Sequence, residues 1–178
     1  MTVYILAEVG STHDGSLGNA RRMVEVFAAL GADAIKFQCH YGQRVEPDAP
    51  RPAFFTAEDR AAYFERTGFE PGEWASIRAQ CHACGVDFVP SVFALEAVEM
   101  LKKFAPPDAY KLPSGQLNNQ ALRDVLYATK RKVFYSTGMA KSEELRLTNI
   151  GADWVEMHCT SEYPCEPGVV PRLDDHDL

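Results

Sequence analysis

The stretch AYKLPSGQ, residues 109–116, predicts a short buried strand that ends in a lysine, a serine and a glycine turn. Burying Lys111 among apolar neighbours costs free energy unless an anionic group meets its ammonium. The Ser114 hydroxyl and the backbone N–H groups near Gly115 place further hydrogen-bond donors at the same point. The stretch therefore predicts a strand end that binds a phosphate or a carboxylate.

Strand-like apolar runs alternate with helical patterns along the whole chain. Besides the strand that begins at residue 109, the runs are 3–7, 32–37, 86–89, 132–135 and 153–157. Such alternation is typical of a parallel sheet covered by helices. A doubly wound sheet is one alternative, but the first loop has no G-x-G-x-x-G phosphate motif.

Polar side chains close most of these runs, which favours a barrel, because a barrel gathers its functional groups at the ends of many strands. They are Glu8, Lys36, Ser91, Lys111, Ser136 and His158. A complete barrel has eight units and typically about 250 residues, whereas this chain has 178. We therefore predict an α/β fold, an incomplete TIM-type (β/α) barrel with about six of the eight βα units, in a single domain spanning residues 1–178.

Composition excludes several classes of protein. An apolar fraction of 46% with 24% charged residues is that of an ordered globular chain. A net charge of -7 disfavours binding to nucleic acid or to an anionic membrane. No apolar run approaches the roughly 20 residues that span a bilayer, and residues 1–10 lack the basic flank of a signal peptide. Five cysteines at scattered spacings indicate reduced thiols in a cytoplasmic protein.

Several cations and hydroxyls are predicted to meet at one end of the sheet. They are Lys36, Lys111, Ser91, Ser114 and Ser136. One lysine at a strand end is more often salt-bridged than a ligand, but two lysines with three serines on neighbouring strands suit a small, doubly charged anion.

Five segments resemble the motifs of the sialic acid synthase family, in the same order and at similar spacing over nearly all of the chain. They are ILAEVGSTHDGSLGNA at 5–20, GADAIKFQ at 31–38, AYKLPSG at 109–115, YSTGM at 135–139 and HCTSEYP at 158–164. Enzymes of this family condense phosphoenolpyruvate with N-acetylmannosamine or a related amino sugar, and phosphate leaves. The resemblance implies a (β/α)8 barrel with this transferase activity.

The resemblance also implies roles for individual residues. The catalytic positions match Glu8, beside the sugar, and Lys111, beside phosphoenolpyruvate. The implied substrate-binding positions are Lys36, Ser91, Ser114, Gln116, Ser136, Ser161 and Tyr163. The family pattern has an acidic residue where Gln116 stands, and an amide cannot titrate. The differences from the family lie mainly on the sugar side, so the resemblance specifies phosphoenolpyruvate more closely than the sugar.

A divalent metal, manganese or magnesium, is expected for the family, where it polarises the sugar aldehyde. Its two histidine ligands belong to motifs that this chain lacks, since Asp175-His176 follows His158 too closely to be the first of them. We therefore expect no metal ligands in this chain.

The alternative hypothesis is a truncated or degenerate non-catalytic barrel that needs a partner or further strands. A phosphoenolpyruvate aldolase acting on a sugar phosphate would need another basic cluster, and none is evident. The expected partners are the two small substrates, phosphoenolpyruvate and the amino sugar. A homodimer is one assembly that the chain could form.

Two further features have structural interpretations that compete with functional ones. The segment CHAC, residues 81–84, spaces two thiols like a zinc or redox pair, but helix packing is the favoured interpretation. Two interpretations of His158 stay open: its side chain faces the substrate site, or it forms a hydrogen bond in the barrel mouth. An aromatic cluster is predicted to pack a long βα loop rather than to cover a sugar: Phe54, Phe55, Tyr63, Phe64 and Phe69.

Overall fold

The computed structural model describes residues 3–44, 58–138, 151, 153–157, 159 and 162. The strands in this part of the chain are β1 Leu6–Gly10, β2 Ala34–Cys39, β3 Asp87–Val92, β4 Ala109–Leu112, β5 Lys132–Ser136 and β6 Trp154–Met157. They form one sheet in the order β1-β2-β3-β4-β5-β6, and every neighbouring pair is parallel.

The strand order identifies the architecture. A doubly wound sheet reverses direction at a switch point, whereas this sheet adds each strand beside the previous one. Crossovers of one hand that always advance in the same direction build the wall of a barrel. The predicted α/β fold, a TIM-type barrel of about six βα units, is confirmed.

The helices begin where local chemistry satisfies their first N–H groups. They are α1 Leu17–Ala29, α2 Arg60–Arg66, α3 Pro71–Ala83, α4 Leu95–Phe104 and α5 Gln120–Ala128, with a 3-10 turn at Ser114–Gln116. The Ser16 hydroxyl caps α1 and the Asn119 carbonyl caps α5, each accepting a backbone N–H at 3.2 Å. In the described part of the chain, no helix is both long and apolar enough to cross a membrane. The sequence pattern also predicts a short helix at 142–149, and this segment falls outside the described residues.

Three strands differ from the sequence prediction by two or more residues, and one of them is the second, which spans Ala34–Cys39 instead of 32–37. The first begins at Leu6 rather than Val3, and Val3 and Ile5 are 80% and 53% exposed. Glu8 therefore lies inside the strand instead of closing it. The third strand continues through Ser91 to Val92 instead of ending at residue 89. The first strand was predicted to end before its polar residue Glu8 and the third before Pro90, although β1 and β3 continue through these residues.

Side chains alternate between two faces of the sheet. The face toward the helices carries the main core, which joins strand residues such as Phe37, Phe88 and Tyr110 to helix residues such as Trp74 and Leu101. The opposite face, here called the inner face, carries a second, smaller cluster. It consists of Ala34, Val89 and Ala109, with Leu6 and Phe134 packed against them. Separate packing on both sides of the strands is the arrangement of a barrel wall.

The loop between β1 and α1 is fixed against α2 and α3. His13 is fully buried, its ring centroid lies 4.5 Å from that of Phe69, and Phe69 packs edge-on against Trp74 at 5.3 Å. The Gly15 N–H donates to His13 Nδ1 at 3.1 Å. Phe69, one of the aromatics of the predicted cluster, is thus a core residue here.

Gly15 provides a test of this loop packing. It has φ +77°, and a Cβ added there would overlap the carbonyl oxygen of Arg66. We expect Gly15→Ala to lower the free energy of unfolding by roughly 2–5 kcal/mol, from left-handed backbone strain plus steric overlap. Gly31→Ala is the matched control, because Gly31 has φ +92° but open space around it; strain alone should cost roughly 1–2 kcal/mol. Equal losses in urea unfolding of the two variants would contradict the packing.

Candidate functional site

A layer of polar side chains lies on the inner face, directly above the small apolar cluster. Each residue of that cluster is followed two positions later by a polar one, and two positions along a strand return to the same face, nearer its carboxyl end. In strand order the pairs are Leu6 and Glu8, Ala34 and Lys36, Val89 and Ser91, Ala109 and Lys111, and Phe134 and Ser136. These five polar residues, here called the polar layer, come from five consecutive strands.

Register brings the members of the polar layer to adjacent positions. Glu8 pairs with Lys36 between β1 and β2, and Ser91 pairs with Lys111 between β3 and β4. The pairing of β1 with β2 shifts register between Glu8 and Gly10, and such irregularities in a strand re-aim the neighbouring side chains.

Lys36 is held by two members of the layer. Its ammonium forms an ion pair with the Glu8 carboxylate and lies 3.5 Å from the Ser91 hydroxyl. The Lys36 side chain is 14% exposed and that of Glu8 is 43% exposed. The carboxylate therefore reaches toward solvent, while the ammonium sits deeper between the strands.

Lys111 is the most deeply buried cation of the described residues. It is 5% exposed, and its ammonium donates to the Leu112 carbonyl at 2.7 Å. Burial, and secondly the positive charge of Lys36, lower the pKa of Lys111 to about 8. The Lys36 ammonium lies 3.5 Å from the Ser91 hydroxyl, and Ser91 is the register partner of Lys111 on the neighbouring strand. The structure thus brings the two predicted lysines together on one face of the sheet.

Ser136 extends the layer to the fifth strand. Its hydroxyl lies 3.2 Å from the Cys159 sulfur, and both side chains are largely buried. The Cys159 thiol also acts electrostatically on Lys111. Cys159 is therefore a neighbour of the polar layer that the sequence analysis did not single out.

The turn after β4 holds the two remaining described candidates. Ser114 and Gln116 are the first and last residues of the 3-10 turn, and both are half-buried. The Gln116 side-chain oxygen accepts from the Asn119 amide at 3.0 Å. The Gln116 side chain is thus hydrogen-bonded to Asn119, the residue that caps the start of α5.

Gln38 belongs beside the layer and was missed from the sequence. It lies two residues after Lys36 on the same strand and pairs in register with Ser91. The period of two that assigns Lys36 to the inner face predicts the same face for Gln38, so that period was the signal that could have found it.

Some predicted residues fall outside the described part of the chain, and Cys81 lies on the other face of the sheet. Ser161, Tyr163 and His158 lie outside the described residues, as do Phe54 and Phe55 of the aromatic cluster. Cys81 is buried in the core toward the helices, where burial raises the pKa of its thiol to about 12. An inert buried thiol agrees with the packing interpretation of residues 81–84.

The divalent metal expected for the family finds no ligand set in the described structure. Among the residues that are described, no group of three or more His, Cys, Asp or Glu side chains is arranged to hold a metal ion.

The polar layer has the chemistry of an anion site. Two ammonium groups and two hydroxyls can neutralise and hydrogen-bond a small polyanion, while one carboxylate beside them can accept a hydroxyl proton. The small apolar cluster beneath the polar layer excludes water on that side. A lower local dielectric strengthens these electrostatic interactions.

Comparison with known proteins places the fold and the site in context. The chain is 30% identical over 174 residues to N,N'-diacetyllegionaminic acid synthase of Campylobacter jejuni, and 32% identical over 174 residues to pseudaminic acid synthase of the same species. These alignments cover 90% and 91% of this chain but 52% and 50% of the relatives. The chain thus spans about half the length of the curated relatives it matches.

A solved structure supports the fold independently. The crystal structure of N-acetylneuraminic acid (sialic acid) synthetase from Leptospira borgpetersenii superposes with a TM-score of 0.75 at 22% identity, covering 96% of this chain and 58% of that chain. The NeuB family matches residues 23–171 of the sequence. The predicted resemblance to sialic acid synthases is confirmed, and the chain belongs to the NeuB family.

Proposed function

We propose that residues 1–178 form one partial barrel domain that binds phosphoenolpyruvate and an N-acetylated amino sugar and takes part in their condensation to a nonulosonic acid. Two of the relatives it matches are synthases of legionaminic and pseudaminic acid. The observation that carries the proposal is the polar layer, in which Lys36 and Lys111 converge beside the hydroxyls of Ser91 and Ser136.

Phosphoenolpyruvate suits this layer because it carries a phosphate and a carboxylate on a small frame. Lys36 and Lys111 neutralise the two anionic groups, and the hydroxyls of Ser91, Ser114 and Ser136 donate hydrogen bonds to their oxygens. Anchoring both ends of the molecule orients its alkene carbon toward a sugar aldehyde, which supplies the positioning that bond formation needs. In the proposed reaction the carbon–carbon bond forms, water adds to the adjacent carbon, and the carbon–oxygen bond to phosphate breaks.

Glu8 is proposed for the sugar side of the site. Its carboxylate is more exposed than the Lys36 ammonium that it contacts, so it can meet a sugar hydroxyl while still paired. Gln116, Ser161 and Tyr163 are proposed to contribute further sugar contacts, as the resemblance implies.

A second candidate function is a non-catalytic barrel fragment that binds anions and needs a partner or further strands. Two observations favour it. The chain spans about half of its curated relatives, and in the described sheet β1 and β6 are each paired on one side only. An unpaired edge is a site for association with further strands.

Removing either lysine should weaken anion binding. We expect Lys36→Ala and Lys111→Ala to raise the dissociation constant for phosphoenolpyruvate about 10- to 150-fold each, because a hydrogen bond to a charged group contributes roughly 1.5–3 kcal/mol. Lys36→Ala should have the larger effect, since it also leaves the Glu8 carboxylate unneutralised beside the ligand. Isothermal titration calorimetry on the full chain measures this. Lys102→Ala is the control, because that side chain lies on α4 and is 61% exposed; lysine variants that bind like this control would refute the anion site.

Anion binding should also depend on pH. The pKa of Lys111 is lowered to about 8, so its ammonium loses its proton as the pH rises through that value. The dissociation constant for phosphoenolpyruvate should therefore rise between about pH 8 and about pH 9.5, by up to about tenfold per pH unit. Lys111→Arg keeps its charge in this range and should flatten the profile. A wild-type profile as flat as that of the arginine variant would show that Lys111 does not bind the anion.

A turnover assay separates the two candidate functions. Phosphate release is measured from the full chain with phosphoenolpyruvate, N-acetylmannosamine and manganese. We expect release that Lys111→Ala abolishes, if the layer is catalytic in this chain. Binding of phosphoenolpyruvate without release would instead favour the non-catalytic fragment.

A further inference from the structure

Three side chains form a connected series at the carboxyl end of β2, next to the polar layer. Gln38 lies on the inner face, His40 directly follows the strand, and Gln43 lies in the loop beyond. His40 Nε2 is 3.2 Å from the Gln38 side-chain oxygen, and His40 Nδ1 is 2.5 Å from the Gln43 side-chain oxygen. None of the three was assigned a role above.

The His40 ring is held in a fixed plane by two other aromatic rings. Phe64 on α2 stacks at 3.8 Å and 18°, and Phe93, just after β3, stacks at 4.3 Å and 22°. Turning the imidazole out of this plane would break both stacks. Within this plane, the hydrogen-bond distances place Nε2 toward Gln38 and Nδ1 toward Gln43.

The ring is neutral near pH 7, which limits its hydrogen bonds. Burial lowers the pKa of His40 to about 4. A neutral imidazole has one N–H donor and one acceptor nitrogen, so it cannot donate to two amide oxygens at once. Because amide oxygen and nitrogen positions are assigned from the hydrogen-bond network, one of the two glutamines must turn its NH2 group toward the ring.

The surroundings of Gln38 decide which glutamine turns. A Cβ placed on Gly10 would lie 3.0 Å from a Glu8 carboxylate oxygen and 3.6 Å from the Gln38 amide nitrogen, so these two atoms face the same small space. A carboxylate only accepts hydrogen bonds, and an amide NH2 suits this space where an amide oxygen would be repelled. The Gln38 oxygen then faces His40, which must carry its proton on Nε2, and Gln43 presents its NH2 group to Nδ1.

We infer that His40 is a positioning residue: it fixes the Gln38 amide with its NH2 group toward the polar layer, adding a directed donor beside the Glu8–Lys36 pair. The orientation follows from the geometry of these side chains. That the donor serves bound phosphoenolpyruvate rests on the proposed function, and it is supported by the register pairing of Gln38 with Ser91, which itself contacts Lys36.

The tautomer of His40 tests the orientation without any ligand. In a long-range nitrogen–proton correlation spectrum of the isotope-labelled full chain near neutral pH, His40 should show the Nε2–H tautomer. The opposite tautomer, with the proton on Nδ1, would overturn the inference.

Ligand binding tests the consequence. His40→Phe keeps a stacked ring but removes the N–H that holds Gln38. We expect it to raise the dissociation constant for phosphoenolpyruvate about 3- to 10-fold, the effect of one lost hydrogen bond. Gln38→Leu should raise it by a similar factor, and the double variant should lose little more, because both changes remove one interaction. His82→Phe is the matched control, since His82 lies in the last turn of α3 and contacts Asp108; it should bind like the wild type.

The outcomes separate this inference from the proposed function. If Gln38→Leu weakens binding while His40→Phe does not, the positioning role is wrong and the proposed function stands. If the wild type itself does not bind phosphoenolpyruvate, the proposed function fails and the tautomer alone decides the orientation. If His40→Phe does not fold, the wild-type tautomer together with the Gln38→Leu titration still decides the inference.

Discussion

A lysine ammonium buried inside a parallel sheet is the constraint on which the rest of the site depends. Lys111 is almost fully buried, close to a second ammonium, and an isolated buried charge costs several kcal/mol. This cost appears in the pKa of Lys111, which burial lowers to about 8, and it is partly offset because the ammonium donates to the Leu112 carbonyl. In the proposed function, a bound polyanion offsets the remaining cost, and the burial that destabilises the unliganded site strengthens the electrostatic interaction with that anion.

The barrel wall makes this burial possible by separating two tasks between the two faces of one sheet. Toward the helices, large apolar residues such as Phe37 and Tyr110 pack a continuous core. On the inner face the apolar cluster is small, and the next layer toward the carboxyl ends of the strands is polar. Because all the described strands are parallel, these carboxyl ends lie on one side of the sheet. The stability of the fold thus depends mainly on one face, while the other is free to carry charge.

The loops after the strands add a second level of organisation. The ring of His40 stacks between Phe64 and Phe93, which ties the loop after β2 to α2 and to the end of β3. This stacking holds His40 in place beside Gln38. In our inference, the packing of this loop thereby sets the orientation of the Gln38 amide next to the polar layer. The aromatic residues near this loop therefore have a structural role that also shapes the site.

The sequence by itself determined the parallel α/β class, the number and order of the strands, and the family. It also singled out Lys36 and Lys111 as cations on the sheet strands. Apolar runs, helical periodicity and motif spacing are local along the chain, and they remain readable without contacts. The ends of β1 and β3 were wrong, because Glu8 and Pro90 look like strand ends until the neighbouring strands show that β1 and β3 continue through them. Only the tertiary structure decided that Lys36 contacts Glu8, that Cys159 lies against Ser136 and that His40 stacks on Phe64 and Phe93. These contacts depend on the register between strands and on ring stacking between distant segments, and no local pattern specifies either.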